Sequence, residues 1–232
     1  MSRQFTSVWT REPRSKPPSP GRSREEIVKA AVELLDAEGL DGLSMRKLGA
    51  KLMSGATSIY WYVATKDDLL ELAYDEVWAE ITVPDPDEAH WREVASVLAH
   101  SMRQAMLNHP WSADLLGRLP ALGPHAIGVS ERMRRTFRLA GFAGTDIDFA
   151  GATLTAFIFG MTIPEIAWET TVEGAWDTSA AQAALTKAAA GHPELLDAID
   201  TMPHEDPRVM RAVAFDFGLV SVLDGLERRL TT

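Results

Sequence analysis

Apolar positions recur at helical spacing through most of this chain, and no stretch of useful length alternates with the period of two that a strand requires. Ser23-Arg24-Glu25-Glu26 reads as a capping box, the serine oxygen accepting from a first-turn N–H while Glu26 reaches back. Ile27, Ala30, Ala31, Leu34 and Leu35 follow on one helical face, and Gly39 offers a left-handed stop. Ser44 caps a short helix from Met45 to Leu52, with Leu48 inward and Arg46, Lys47 and Lys51 outward. After a break at Ser54-Gly55 comes a second short helix, about Thr57 to Tyr62. Thr65-Lys66-Asp67-Asp68 then caps a longer helix whose buried side is Leu69, Leu70, Ala73, Val77 and Ile81. Two short helices joined by a tight turn and braced by longer ones describe a helix-turn-helix.

Beyond Pro84-Asp85-Pro86 the pattern stays helical. Pro86 suits the first position of a helix running to His109. A short helix is expected near Ser112 to Gly117, one from Pro124 to Ala140, and one capped by Thr145-Asp146-Ile147-Asp148 and running to Thr170. Two more fall near 179–190 and 193–200, and Asp206-Pro207 opens a last helix to Leu230. The expected fold class is therefore all-α: an N-terminal three-helix head with a helix-turn-helix, and a larger C-terminal helical body. Residues 22–66 form the head and 67–232 the body.

Composition alters this picture at one end. Residues 1–21 hold Pro13, Pro17, Pro18, Pro20 and Gly21 among Arg11, Arg14 and Lys16, a mixture expected to form a disordered, unpacked basic arm, either an inert leader or one that reaches a phosphate backbone or minor groove. The net charge of −10 argues at first against nucleic acid. Its distribution reverses that: residues 1–66 carry 11 Lys/Arg against 7 Asp/Glu, and the remainder 12 against 26. A basic head on an acidic body suits a chain whose first quarter alone meets phosphate. There is no cysteine, so disulfides, thiolate metal sites and a cysteine nucleophile are excluded. None of the six histidines has metal-ligand spacing, and no phosphate loop or nucleophile motif is present. The expectation is a soluble cytoplasmic protein with no catalytic residues, cofactor, metal or membrane span.

The run Leu43-Ser44-Met45-Arg46-Lys47-Leu48, then Ser58-Ile59-Tyr60-Trp61-Tyr62-Val63 and Lys66, resembles the DNA-binding head of the tetracycline-repressor (TetR) family. Phe157-Ile158-Phe159-Gly160, Phe217-Gly218-Leu219 and Gly225-Leu226-Glu227 resemble the C-terminal domain of tetracycline repressors themselves. The resemblance implies a homodimer on a palindromic double-stranded operator, a small-molecule inducer, and a ligand cavity in the body. On the head it marks Ser44, Arg46, Thr57, Ser58, Tyr60, Trp61, Tyr62 and Lys66 as DNA-facing. Arg46 has the fork for a guanine edge or a phosphate, and Lys66 suits a phosphate. Trp61 has a second reading, as a plug between the second short helix and the helix after it. One departure stands out: the turn begins Leu52-Met53-Ser54, where the family usually has Gly after Leu. A Met forced into the left-handed region costs roughly 1–2 kcal/mol, unless Gly55 takes over the turn.

In the body, Leu98, Met102, Met106, Leu115, Val129, Met133, Thr155, Ala156 and Phe159 form a methionine-rich set that core packing explains equally well. The resemblance places them around the cavity, with His109 at its mouth. Leu98, Leu115, Met133 and Ala156 stand where the tetracycline-binding pattern carries polar side chains, which implies a more apolar ligand bound without metal. Ile147, Leu154, Phe157, Ile158 and Met161, with Val213, Phe217, Val220, Leu223 and Leu226, exceed one subunit's needs and are expected between two copies. Ligand and operator would then oppose each other with about 1–3 kcal/mol of coupling, through movement of the helix that starts at Lys66. A regulator with no inducer, and a small-molecule carrier or enzyme with a vestigial head, are the competing readings.

Overall fold

The computed structural model describes residues 7–11, 23–171, 178–201 and 206–231. Among them the secondary structure is helical throughout, with no strand. The head holds α1 (Arg24–Gly42), α2 (Met45–Lys51) and α3 (Ala56–Tyr62). Each start follows from its cap. Ser23 Oγ accepts from Glu26 N at 3.1 Å, and Ser44 Oγ accepts from Lys47 N at 3.2 Å. Gly39 takes a positive φ of 67° and interrupts the helical run of α1, as its sequence position suggests. Ile27, Ala31, Leu35, Leu48, Ile59 and Val63 close a dry core between the three helices.

The connecting helix α4 (Lys66–Ala79) begins at Thr65, whose Oγ1 accepts from Asp68 N at 3.0 Å. It packs against α1 on one side and the body on the other. The body comprises α5 (Trp91–Asn108), a 3-10 segment (Pro110–Leu115), α6 (Pro124–Ala140), α7 (Asp146–Thr171), α8 (Thr178–Ala188), α9 (Pro193–Asp200) and α10 (Pro207–Leu230). Helix α7 is its centre, contacting α5, α6 and α10, whereas α8 packs on α9.

Two expectations are corrected here. Helix α5 starts at Trp91 rather than Pro86, because Asp85 closes a separate turn. Its Oδ1 accepts from Asp87 N at 3.0 Å and its carbonyl from Glu88 N at 3.1 Å, leaving His90 as the cap. The reading of 1–21 as an unpacked arm fails for Ser7–Arg11, which lie on α4 with Ser7 fully buried. The rest of that arm lies outside the described residues.

Helix α7 is long and apolar enough to cross a membrane by length and composition. The sequence reading missed this because Asp148 and Glu165 interrupt the run. Glu165 is buried against Arg103 of α5, which donates to it twice, at 2.9 and 2.7 Å. Helical periodicity splits the apolar residues of α10 into two stripes. Phe215, Leu219, Leu223 and Leu226 face inward, while Val209, Val213, Phe217 and Val220 face outward.

Candidate DNA interface and ligand cavity

Helix α3 is held from beneath by Ile59 and Val63, each 1% exposed. Thr57 and Ser58 are exposed, as are Tyr60 (45%) and Trp61 (61%). Tyr62 is half-buried against the core while Trp61 is exposed, which corrects the reading of Trp61 as a plug. Arg46 is exposed on α2. Lys66 Nζ donates to Leu40 O at 3.1 Å, tying α4 to the end of α1, and its ammonium retains further donors. Ser44 is half-buried and occupied in capping α2.

Met53, 89% exposed, does adopt the left-handed region, at φ 49°. Met53 N donates to Ala50 O at 3.0 Å and Ser54 N to Gly49 O at 2.9 Å, the paired bonds of a Schellman stop. Gly55 does not take over: its φ is −68° and it caps α3.

Between head and body lie two polar joints. At the first, His109 Nδ1 is 2.7 Å from Asp36 Oδ1 of α1, and His109 Nε2 is 3.0 Å from Glu80 Oε1 at the end of α4. Trp111 Nε1 donates to the same Asp36 oxygen at 2.7 Å. Burial pushes the imidazole pKa down, but the hydrogen bonds and charges of Asp36 and Glu80 outweigh it and raise the pKa above its ordinary value. With a carboxylate on each nitrogen, the protonated ring donates both ways. At the second joint, buried Asp75 of α4 accepts from His125 N at 3.2 Å and Ala126 N at 3.0 Å, capping α6 from another helix. A Cβ at Gly123 would collide with that carboxylate.

A small cavity of about 20 Å³ lies between the joints. Tyr74, Val77, Trp78 and Ile81 of α4 and its end line one wall; Met102, Ala105 and Met106 of α5, Ser112, Leu116 and Phe159 line the rest. Burial raises the Tyr74 pKa to about 12, so its phenol is neutral. Ser112 Oγ is buried with no hydrogen-bond partner. Of the expected ligand residues, Met102, Met106 and Phe159 line this cavity. Leu98, His109, Leu115, Val129, Met133, Thr155 and Ala156 do not. Leu98, Leu115 and Val129 are core; Thr155 and Met133 meet each other across α6 and α7 at 3.8 Å; Ala156 is exposed; His109 is consumed by the joint. The sequence reading missed the whole α4 wall because Val77 and Ile81 already read as the packing face of that helix.

The expected dimer set also divides. Val213 (55%), Phe217 (76%) and Val220 (54%) are exposed, Phe157 and Met161 are half-buried, but Leu154 and Leu223 lie within the chain's own core. Phe149, Ile163 and Trp168 of α7 are exposed and were missed.

A solvent-facing aromatic helix on a helix-turn-helix, joined to a long helical body, has counterparts among known proteins. Residues 27–73 match the profile described as bacterial regulatory proteins, tetR family. Residues 83–230 match that of the tetracyclin repressor-like C-terminal domain. This chain belongs to the TetR family. It is 39% identical over 162 residues to an HTH-type transcriptional regulator of Saccharopolyspora erythraea, covering 70% of this chain and 69% of that one. It is 30% identical to the transcriptional repressor DrrR1 of Streptomyces coeruleorubidus, covering 98% of this chain and 86% of the relative. The TetR-family protein ActR of Streptomyces coelicolor, solved in complex with actinorhodin, superposes with a TM-score of 0.76 at 27% identity, over 91% of this chain and all of that one. As a TetR-family member the chain is a DNA-binding transcriptional regulator.

Proposed function

We propose that two copies of this TetR-family chain repress a gene from a palindromic operator and release it when each body takes up a flat, mainly apolar molecule. The DNA contacts are assigned to Arg46, Thr57, Ser58, Tyr60, Trp61 and Lys66, with Ser44 and Tyr62 holding their helices in place. The dimer contact is assigned to the outward stripe of α10 with Phe149, Ile163 and Trp168 of α7. Seven large apolar side chains left in water on two neighbouring helices need a cover, and a second copy is the simplest one.

The observation that carries the ligand class is the cavity lining: aromatic and methionine side chains with one unpaired hydroxyl. Met adapts to varied apolar shapes, and Tyr74, Trp78 and Phe159 offer ring faces. Ser112 asks for one polar atom on the ligand. The family's tetracycline-type polar set is absent from the wall, so the ligand binds without metal. At 20 Å³ the cavity holds about one water, whereas small-molecule sites run to roughly 300–1,000 Å³. The ligand must therefore part α4 from α5. That movement pulls on both joints, and through Asp36 and Lys66 it reaches the head.

ActR, solved in complex with actinorhodin, supports a small-molecule ligand for this fold. A regulator without an inducer is the second reading, and the small cavity favours it; the unsatisfied Ser112 speaks against. A thermal-shift screen of aromatic compounds and of magnesium–tetracycline, followed by release of labelled duplex, tests the proposal. Stabilisation by an apolar aromatic compound that also releases DNA is expected. Stabilisation by magnesium–tetracycline alone contradicts the ligand class, and release by none supports the second reading. Phe217→Asp should leave monomers by sedimentation and remove operator binding.

A further inference from the structure

Ser7–Arg11 form a short strap whose contacts the regulator reading does not use. Arg11 grips Asp68 of α4 with both guanidinium nitrogens, at 3.0 and 2.6 Å. Val8 N donates to Glu71 Oε2 at 3.1 Å, and Ser7 Oγ donates to the same oxygen. Trp9 lies under the guanidinium of Arg24 at the start of α1, 5.8 Å from ring centroid to carbon. The strap thus touches both α1 and α4.

What it covers is unusual. Asp68 and Glu71 are 2% and 7% exposed, sit one turn apart on the same face of α4, and follow Lys66 closely. Among the described residues, every hydrogen bond that their carboxylates accept comes from the strap. Carboxylates are seldom buried without a cation or a full set of donors. Here Arg11 supplies the cation and the strap's Ser7 and Val8 supply the donors. Both carboxylates follow Lys66, the position that we assign to a phosphate, within the first two turns of α4.

We propose that Arg11 is a positioning residue for operator binding: it cancels the charge of Asp68 near the start of α4 and anchors there a strap whose Trp9, under Arg24, ties α4 to α1. Without the strap, two carboxylates open to water next to an anionic ligand, repelling it and loosening the start of α4. This rests on the reading of Lys66 and α3 as the DNA face. The strap's polar contacts fall on the first half of α4, at Asp68 and Glu71, which do not line the cavity.

The test uses the full-length chain and duplexes that the wild-type protein selects from a random pool. Anisotropy titrations compare Arg11→Met, Asp68→Asn, the Arg11→Met/Asp68→Asn double variant and a chain lacking residues 2–11. The proposal expects at least a ten-fold loss of affinity for Arg11→Met and for the truncated chain, with dimer mass and far-ultraviolet dichroism unchanged. Asp68→Asn alone should hold wild-type affinity within three-fold, and the double variant should recover to the same range. A merely structural strap would make Asp68→Asn as damaging as Arg11→Met and give no recovery; that result overturns the proposal. Wild-type affinity in Arg11→Met also overturns it. If the wild-type chain itself selects no duplex, the regulator reading fails, which is a distinguishable outcome.

Discussion

The head displays its working surface, while the body hides one. On α3 the exposed residues Thr57, Ser58, Tyr60 and Trp61 stand on a floor of buried Ile59 and Val63, ready to meet a rigid partner. Between α4 and α5, rings and thioethers have closed onto themselves and left about 20 Å³. A duplex has a fixed groove, so a preformed surface serves it best. A small molecule can part a soft apolar seam, and the work of parting is what couples it to the head. The difference explains why one chain can bind two ligands that exclude each other.

The comparison breaks most visibly at α3. Tyr60→Ala combined with Trp61→Ala should cost roughly 2–4 kcal/mol of operator binding, on the scale of one or two lost base contacts, with ligand-induced stabilisation unchanged. Anisotropy and thermal shift together check this. If both readouts fall, head and body are not separate surfaces.

The cavity is sharpened by filling it. Ala105→Phe places a ring in the seam at an overpacking cost of about 1–3 kcal/mol. The variant should keep operator affinity and lose release by ligand, seen as a titration that ligand no longer shifts. Continued release would move the site elsewhere in the body.

At the joint between the two regions, His109→Gln should lower the coupling of ligand to DNA by about 1 kcal/mol, a substantial part of a typical allosteric term. The joint also carries a pH signature. Because Asp36 and Glu80 raise the His109 pKa above its ordinary value, its stabilisation is fully present below that ordinary value. It is lost as pH rises through the folded-state pKa. Melting temperature should therefore fall across the neutral to mildly alkaline range in wild type and more weakly in His109→Gln. Parallel profiles would mean that His109 is not the proton carrier.

The smallest effect is at Met53. Met53→Gly should relieve left-handed strain and stabilise the head by about 1 kcal/mol, offset in part by glycine's greater unfolded-state freedom. Urea denaturation reads it.

Local signals explain what could be read beforehand. The caps at Ser23, Ser44, Thr65 and Asp206 announce themselves because each is a hydroxyl or carboxylate just before an apolar stripe. The exposed face of α3 follows from helical period, whereas on α10 Leu223 and Leu226 were read on the outward stripe although they face inward. The cavity does not, because Leu115 and Met106 look alike in sequence while only the latter lines it. The joints were also hidden: Asp36 and His109 stand 73 positions apart, and only the fold brings them together. Glu71 and Ser7 are 64 apart, so nothing near residues 1–21 hinted that Ser7–Arg11 would be placed.

The most direct test of the account is a duplex titration at several salt concentrations, with binding stoichiometry counted. We expect two chains per duplex and an affinity that falls steeply as salt rises, since Arg46 and Lys66 displace counterions from phosphates. One chain per duplex, or an affinity indifferent to salt, would contradict it.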